Sequence, residues 1–314
     1  MWHMYLPIAG NSVNIITIFG LGGVVGLLSG IFGVGGGFLM TPLLIMIGIP
    51  PTVAAASDSN QIVGASTSGT LAHWRLGNVD VKMGLLLLVG GIIGGTGGVQ
   101  VIKVLRATGN ADFLINITYV LMLGGVGSYM FWESLQGLKQ DTGVPQPEEA
   151  PAAAAPVKES TYARLLKMLP WQSKFEKSGT EISILLPLIF GVLVGVLAAI
   201  MGVGGGFIMV PVMVYLLRMP MHVVVGTSLF QILFTCVNVT IMQSYSNHTV
   251  DFVLALLLLA GSTIGVQFGT AVGKKLKGDQ LKILLATLVL IVCVKMLAGL
   301  LITPDILVAL KGGH

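Results

Sequence analysis

Charged residues and cysteines are scarce in this chain of 314 residues. Only 10% of the residues are charged and 54% are hydrophobic, which predicts a protein that crosses a membrane several times. The two cysteines, Cys236 and Cys293, lie in different apolar runs without CxxC or Cys/His spacing, so neither a disulfide framework nor a zinc site is predicted. The net charge of +4 lies in connecting segments, where it orients a membrane protein and does not indicate nucleic acid as a partner.

Sequence patterns that mark enzymes are also missing. The run Gly33-Val34-Gly35-Gly36-Gly37 resembles a phosphate-binding loop, but no Lys-Ser/Thr pair follows it and no strand precedes it. No nucleophile–base pair and no metal-ligand cluster stand out in the sequence. We therefore predict that the protein is not an enzyme and carries no cofactor.

Long apolar runs dominate the chain instead. Roughly 20 apolar residues cross a bilayer as a helix, and eight runs have about that length: 13–32, 52–72, 83–102, 113–132, 182–201, 221–243, 252–273 and 283–302. Two shorter pieces, 38–49 and 207–217, would reach roughly halfway through the hydrocarbon. The chain is predicted to be an all-α, polytopic membrane protein. Its first run lacks a basic n-region and recurs in mid-chain, so we expect it to be retained rather than cleaved.

The chain is predicted to be an internal duplication. The pentapeptide at 33–37 returns as Gly202-Val203-Gly204-Gly205-Gly206. The other matching pairs are Gly26 and Gly195, Pro42 and Pro211, Ser57 and Thr227, Gln61 and Gln231, and Val79-Asp80 and Val250-Asp251. Each repeat reads as five helical segments, of which one is a half-length helix after a glycine break. The predicted divisions are a first repeat at 1–135, a linker at 136–181 and a second repeat at 182–314.

Basic residues predict the orientation of the two repeats. The linker carries six of them, which places it in the cytoplasm: Lys139, Lys158, Arg164, Lys167, Lys174 and Lys177. Lys103 and Arg106 fall on the outer side and disagree with this assignment. An odd number of segments per repeat inverts the second repeat relative to the first, giving a pseudo-two-fold arrangement with both termini outside. The linker divides into a Pro/Ala-rich, disordered part at 141–157 and a basic amphipathic part at 161–177, for which a solvated loop is the alternative.

The two glycine breaks are the predicted binding site. Irregular backbone at membrane depth survives where it is buried in protein or lines a watery cavity, and the first N–H groups of the following half-helix attract an anion. The predicted main-chain ligands are Gly33, Gly35, Gly36 and Gly37 in the first break and Gly202, Gly204, Gly205 and Gly206 in the second. The alternative is that these glycines only kink or pack helices.

Polar side chains follow each half-helix and are predicted to form the walls of the site. They are Ser57, Asn60 and Gln61 in the first repeat and Thr227, Ser228 and Gln231 in the second. Intramembrane polar groups usually face a bundle interior or a pathway. Hydrogen bonding between helices is the alternative role.

Two ionisable residues stand apart within apolar segments. Asp58 lies in the first polar turn, where it suggests coupling of transport to protons, or alternatively to sodium. Lys295 lies inside the last helix, where it would supply a positive charge for an anion or pair with Asp58; the alternative is that it snorkels to the membrane surface.

At these residues the chain resembles the TauE/SafE family of sulfite exporter-like anion transporters. The resemblance rests on the doubled GVGGGF break, on Pro42 and Pro211, on the two polar turns and on the Gly-Asn-Val-Asp at 77–80, and it covers roughly 14–132 and 182–302. It implies transport of sulfite or related organosulfonates such as sulfoacetate, mostly as export across the bacterial inner membrane. The long linker and Asp58, whose counterpart is Ser228, depart from the family pattern.

Together these patterns predict a secondary transporter of a small sulfur-containing oxyanion, working by alternating access around a midplane anion site. Its partners would be the anionic substrate and the lipid bilayer, and the sequence leaves its oligomeric state open. The alternatives are a passive anion channel and a membrane scaffold or insertion factor that works through its linker.

Overall fold

The structure is a computed structural model that describes residues 3–32, 37–140, 171–175, 177–217, 219–273 and 278–301. Within these ranges the chain consists of helices and two short β-hairpins. The glycines at 33–36 and the Pro/Ala-rich segment 141–157 lie outside the described residues, so the predictions made for them are not addressed by the structure.

The part before the linker begins with a hairpin and continues as five helices. Their bounds are β1 His3–Leu6, β2 Asn11–Asn14, α1 Ile15–Phe32, α2 Gly37–Met46, α3 Pro51–Arg75, α4 Val81–Ala107 and α5 Ala111–Gln140. The two strands are antiparallel, with His3 opposite Asn14 and Leu6 opposite Asn11.

The part after the linker has the same order of elements. Their bounds are β3 Gln172–Phe175, β4 Thr180–Ser183, α6 Leu185–Met201, α7 Gly206–Pro211, α8 Met221–Asn247, α9 Phe252–Gly273 and α10 Gly278–Leu301. A π-helical turn at Val212–Leu216 follows α7 directly. The inverted relation of the two halves nevertheless remains a prediction.

The fold class predicted from composition is confirmed: the chain is an all-α, polytopic membrane protein. Among the described residues, four helices are both long and apolar enough to cross a membrane, at Val81–Ala107, Ala111–Tyr129, Val223–Asn247 and Phe252–Gly269. Shorter apolar helices accompany them at Ile15–Ser29, Gly37–Met46, Leu185–Met201 and Ala286–Leu301. Each helix overlaps an apolar run predicted from the sequence, although α5 extends well beyond its run and α7 ends before its run does. Helix α3 is too polar to count among these spans.

The helices pack mainly across the two halves of the chain. Helix α1 lies along α9 and α4 lies along α6, while α3 meets α8 and α5 meets α10. A Cβ on Gly26 would lie 2.3 Å from the carbonyl oxygen of Ser262, and a Cβ on Gly195 would lie 2.4 Å from that of Gly91. Because each backbone occupies the space that a side chain would need, the glycines of these helices form packing faces.

Aspartates fix the starts of two helices. The Asp80 carboxylate accepts a hydrogen bond from the N–H of Met83 at 3.1 Å, and the Asp251 carboxylate accepts one from the N–H of Leu254 at 3.1 Å. Each satisfies a backbone donor that would otherwise be unpaired at a helix N-terminus. The repeated Val-Asp pair is therefore a pair of helix caps for α4 and α9.

The hairpins are the main departure from the sequence prediction. Strand β3 occupies the end of the segment predicted to be amphipathic, and β4 runs past position 181, where the linker was expected to end. Helix α5 likewise continues to Gln140, beyond the expected limit at 135. Gly10 and Gly179 close the two turns with φ of 68° and 64°, a left-handed conformation that costs glycine little. Four-residue strands give too short an alternation to be read reliably from the sequence.

Candidate functional site

The second glycine break is a tight, buried turn between α6 and α7. Gly202 ends α6 with a φ of 73°, and its N–H bonds to the carbonyl oxygen of Ala198 at 2.9 Å. Gly204 and Gly205 follow with φ of 69° and 77°, and the carbonyl oxygen of Gly205 accepts the N–H of Met209 at 2.8 Å. Residues with a Cβ are strained in this left-handed region, which explains why the chain needs glycine at these three positions.

Gly37, the last residue of the first break, lies beside the second break. Gly33, Gly35 and Gly36 fall outside the described residues, but Gly37 is buried at the start of α2. A Cβ on Gly37 would lie 3.4 Å from the Cα of Val203, in the middle of the second break. The sequence-distant glycine runs therefore meet inside the molecule.

Helix α3 covers the second break from one side. A Cβ on Gly202 would lie 2.1 Å from the carbonyl oxygen of Ala55. The Ser59 hydroxyl donates to the carbonyl oxygen of Gly202 at 3.2 Å and lies 3.1 Å from that of Ala55. One face of α3 thus contacts the break through main chain and a hydroxyl.

Helix α8 covers the break from the other side with apolar groups. A Cβ on Gly204 would lie 2.6 Å from the sulfur of Cys236 and 2.8 Å from Ile232, and one on Gly206 would lie 2.6 Å from Ile232. Ile62 of α3 packs with Ile232 and Cys236 in one buried cluster. In this conformation the side chains around the second break are mainly apolar and leave its glycines no room for a Cβ.

The polar residues predicted in α3 bond to a neighbouring helix. The Ser57 hydroxyl accepts the N–H of Asp251 at 3.2 Å, and the Gln61 amide donates to the Ser262 hydroxyl at 2.8 Å. Both side chains are buried, and both bonds join α3 to α9. Asn60 is partly exposed.

The polar residues predicted in α8 behave in a related way. The Thr227 hydroxyl accepts the N–H of Asp80 at 3.0 Å, which joins α8 to α4. The Gln231 amide donates to Thr235 one turn along its own helix at 2.8 Å, and the Ser228 hydroxyl donates to the carbonyl oxygen of Val225 at 3.0 Å. The alternative role of hydrogen bonding between helices accounts for Thr227, as it does for Ser57 and Gln61, whereas Gln231 bonds within its own helix.

Asp58 is fully buried beside the half-helix α2. Its Oδ2 accepts a hydrogen bond from the Thr41 hydroxyl at 2.8 Å, whereas its Oδ1 has no partner among the described residues. Tyr119 of α5 lies within electrostatic range of this carboxylate and donates its own hydroxyl to the carbonyl oxygen of Met201. Asp58 therefore sits where α2, α3, α5 and the end of α6 converge.

Lys295 lies apart from this centre. It is exposed on α10 and lines an apolar groove formed with Phe131 of α5 and with Ile291 and Val294 of its own helix. The structure does not bring Lys295 together with Asp58 or with the described glycines, and its exposure fits the alternative of snorkelling.

Sequence reasoning missed several residues that contact the centre. Thr41, Ser59 and Tyr119 each place a hydroxyl on Asp58 or on the end of α6. Ser59 belongs to the polar run that the sequence displays and is set apart only by its helical position relative to Ala55 and Ile62. For Tyr119, 82 positions from its acceptor Met201, no local pattern signals the contact.

Comparison with known proteins gives a consistent result. The family model described as Sulfite exporter TauE/SafE matches residues 18–296. The probable membrane transporter protein YjnA of Bacillus subtilis (strain 168) is 26% identical over 285 residues, which cover 90% of this chain and 99% of the relative. The probable membrane transporter protein YunE of the same organism is 25% identical over 295 residues, covering 90% and 96%. Sulfite exporter TauE/SafE family protein 2 of Arabidopsis thaliana is 32% identical over 98 residues, which are 31% of this chain and 21% of the relative. No solved structure matches the chain.

The family match includes both half-helices, the second glycine break and the polar helices α3 and α8. This is a family of membrane transporters, which is not an enzyme class, and the apolar helices agree with a multi-pass membrane protein. The resemblance read from the doubled glycine break is therefore confirmed. The chain belongs to the TauE/SafE sulfite exporter family.

Proposed function

We propose that the protein is a secondary transporter that exports a small sulfur-containing oxyanion, either sulfite or an organosulfonate such as sulfoacetate. The anion would bind near the membrane midplane, between the two glycine breaks. Main-chain N–H groups at the starts of α2 and α7 would be its principal ligands, since such groups attract anions. The name of the Arabidopsis thaliana relative refers to sulfite export, which supports the substrate class.

One observation carries this proposal: the end of the first glycine run adjoins the middle of the second, at Gly37 and Val203. Two interruptions of membrane helices that merely relieved strain would have no reason to adjoin each other. Irregular backbone is tolerated at membrane depth where it lines a site. A paired arrangement of half-helices around one central point suits a single small ligand.

Binding would require α3 and α8 to move away from the glycines. Ala55 and Ser59 now contact Gly202, while Ile232 and Cys236 contact Gly204. We therefore infer that the described conformation is closed around the second break. Because Ser57, Gln61, Thr227 and Gln231 bond within and between helices, their proposed role shifts from binding the anion to holding the frame of the site.

Alternating access would arise from motion between composite units rather than between the two halves of the sequence. Close backbone contacts recur along α1 with α9 and along α4 with α6, and each pair combines one helix from each half. The close-packed glycine faces of these two pairs resist sliding of one helix along the other. Helices α3 and α8 pack less closely against each other, and their contact lies at the proposed site. We propose that the pairs α1–α9 and α4–α6 rock as units about that centre.

We further propose that the protein resides in a bacterial inner membrane with its linker in the cytoplasm. The support is the concentration of basic residues in the linker, among them Lys174 and Lys177. Cysteine-accessibility labelling of one introduced position in the linker and one in the loop at 246–250 would report their sides.

The test is counterflow of radiolabelled sulfite and sulfoacetate in proteoliposomes. A carrier should exchange external label for trapped unlabelled anion, and flux should saturate. Non-saturable flux without exchange would instead indicate a passive channel. Absence of flux for both anions would overturn the proposal and favour a scaffold.

Variants measured in the same assay test whether the second glycine break is the binding site. Gly204→Ala adds a Cβ at a φ of 69°, 2.6 Å from Cys236, and should abolish most counterflow. Gly97→Ala is the matched control, because no heavy atom lies within 4 Å of the added Cβ. Deleting residues 141–157 should leave counterflow intact, and loss of flux with this deletion alone would implicate the linker. Normal flux in Gly204→Ala would sink the assignment of the break as the site.

A further inference from the structure

Asp58 lies on the face of α3 that touches both glycine runs. Ala55 and Ser59 contact Gly202, and Ile62 contacts Gly37 and Gly204. Positions 55, 58, 59 and 62 follow the spacing of one helical face. The carboxyl group is therefore a neighbour of the proposed anion site rather than a distant structural acid.

The surroundings of Asp58 supply hydrogen bonding without a compensating positive charge. Thr41 hydrogen-bonds its Oδ2, and Oδ1 has no partner within the described ranges. The titratable groups that face it there are Tyr119 from α5 and Cys236 from α8, while α2 contributes the non-titratable Thr41. No lysine or arginine pairs with it in the described part of the chain, and residues 33–36 have no titratable side chains.

An anion and an ionised Asp58 would repel each other strongly in this setting. Like charges in a buried, low-dielectric site interact far more strongly than in water, and a second negative charge favours protonation of the first group. The protonated carboxyl removes that repulsion. Binding of the anion and binding of a proton should therefore favour each other, in either order.

We propose that Asp58 is the proton-coupling residue, and that one proton crosses the membrane with each anion bound at the adjoining glycine runs. This inference rests on the proposed transport function. A divalent anion that travels with one proton still carries a net negative charge, so a membrane potential that is negative inside favours its export. The Thr41 hydroxyl links the protonation of Asp58 to the half-helix α2.

A proton suits this place better than a sodium ion. Sodium sites in transporters are built from free carbonyl oxygens of unwound helices. Here the carbonyl oxygens of Met201 and Gly202 already accept hydrogen bonds from Tyr119 and Ser59. The unpaired Oδ1 of Asp58 remains as the atom that takes up a proton.

The test compares wild type with Asp58→Asn in proteoliposomes that are more acidic outside than inside. Sulfoacetate is the probe, because its acid groups stay ionised near neutral pH, and sulfite replaces it if only sulfite exchanges. One coupled proton allows accumulation of up to about tenfold for each pH unit across the membrane. Wild type should accumulate the anion with this gradient. Asp58→Asn should retain counterflow but lose the response to the gradient.

Asp251→Asn is the matched control, because Asp251 is also a buried aspartate but caps α9 through Oδ1 alone among the described residues, and asparagine caps helices equally well. It should keep both counterflow and the response to pH. A gradient response in Asp58→Asn equal to that of wild type would overturn the coupling role, as would a wild type that responds to a sodium gradient alone. Counterflow in wild type separates these results from failure of the transport proposal, which would abolish exchange itself and this inference with it.

Discussion

The central helices α3 and α8 share one set of hydrogen bonds and differ in another. In both, a hydroxyl near the helix start accepts the N–H of a capping aspartate: Ser57 that of Asp251 at 3.2 Å, and Thr227 that of Asp80 at 3.0 Å. Each bond ties the helix to one from the other half of the chain. What is common to α3 and α8 thus serves to hold the helices in place.

The differences lie one residue further along and on the surrounding elements. Asp58 in α3 corresponds to Ser228 in α8, and its partner Thr41 corresponds to Val210. Gln61 bonds to α9 through Ser262, whereas Gln231 bonds to Thr235 in its own helix. Only one side of the centre therefore carries an acid.

This comparison distinguishes the contacts that hold the helices in place from the groups that act in transport. Both halves of the chain keep the contacts that each half needs to pack, while a group needed once for the whole molecule is found in one half. Asp58 is in the second category, which supports the coupling role proposed for it. Substitutions can convert one side into the other, or remove a feature from both.

The largest effect is expected where the two sides agree. Gly26→Ala and Gly195→Ala should each destabilise the protein by about 3 kcal/mol or more, because overpacking against backbone relaxes poorly. The added Cβ atoms would lie 2.3 and 2.4 Å from carbonyl oxygens of Ser262 and Gly91. Melting temperatures in detergent measure the effect, with Gly97→Ala as the control in open space. A much smaller loss in only one variant would show that the two helix pairs are not equally tight.

Giving α8 an acid should be the next most disruptive change. Ser228 is buried, and Ser228→Asp would introduce a carboxyl group in the half of the chain where Val210 is the counterpart of Thr41. The expected loss is about 2–3 kcal/mol, because a buried polar group would lack a partner. Adding Val210→Thr should recover about 1 kcal/mol by restoring the hydrogen bond found on the other side. Absence of recovery in the melting temperature would mean that the Thr41–Asp58 contact does not transfer.

The turns of the two hairpins allow one substitution that should lower stability and one that should raise it. The Ser178 N–H and hydroxyl both donate to Oδ2 of Asp80, whereas Oδ2 of Asp251 has no partner within the described residues. Ala9 precedes Gly10 as Ser178 precedes Gly179, and both are buried. Ser178→Ala should lower the free energy of unfolding by about 2 kcal/mol. Ala9→Ser should raise it by about 1 kcal/mol, because the new hydroxyl would supply a hydrogen-bond donor for Oδ2 of Asp251. A lower melting temperature for Ala9→Ser would contradict the equivalence of the two turns.

The smallest effect concerns the glutamine partners. In one half Gln61 bonds to Ser262, whereas in the other half the residue opposite Gln231 is Gly91. A Cβ on Gly91 would lie 2.5 Å from the Thr235 hydroxyl. Gly91→Ser alone should therefore destabilise the protein through a clash with the Thr235 hydroxyl. Adding Thr235→Ala should remove the clash and let Gln231 bond to the new serine hydroxyl. A double-mutant cycle should give a favourable coupling of about 1 kcal/mol. Strict additivity of the two changes would refute the exchange of partners.

The sequence predicted the helices far better than the orientation of their side chains. Apolar runs bounded by Gly, Pro and Asp located each helix, because length and hydropathy are local properties. Whether Gln61 points at the glycine break or at Ser262 depends on the rotation of α3 against two neighbours, which no local pattern encodes. The polar run 57–61 has residues on several faces, and Asp58 and Ser59 rather than Ser57 and Gln61 lie on the face that meets the break. The hairpins were missed because their strands are only four residues long.

The pairing of α1 with α9 also bears on how the protein is made. Ser262 follows its contact Gly26 by more than 200 residues, and ribosomes add about 5–20 residues per second. Helix α1 therefore enters the bilayer roughly ten seconds or more before its partner is synthesised. During that interval its glycine face is open to lipid or to an insertion chaperone. A gene truncated before α9 should yield a protein in which α1 is inserted but unsheltered, and quality-control proteases should remove it.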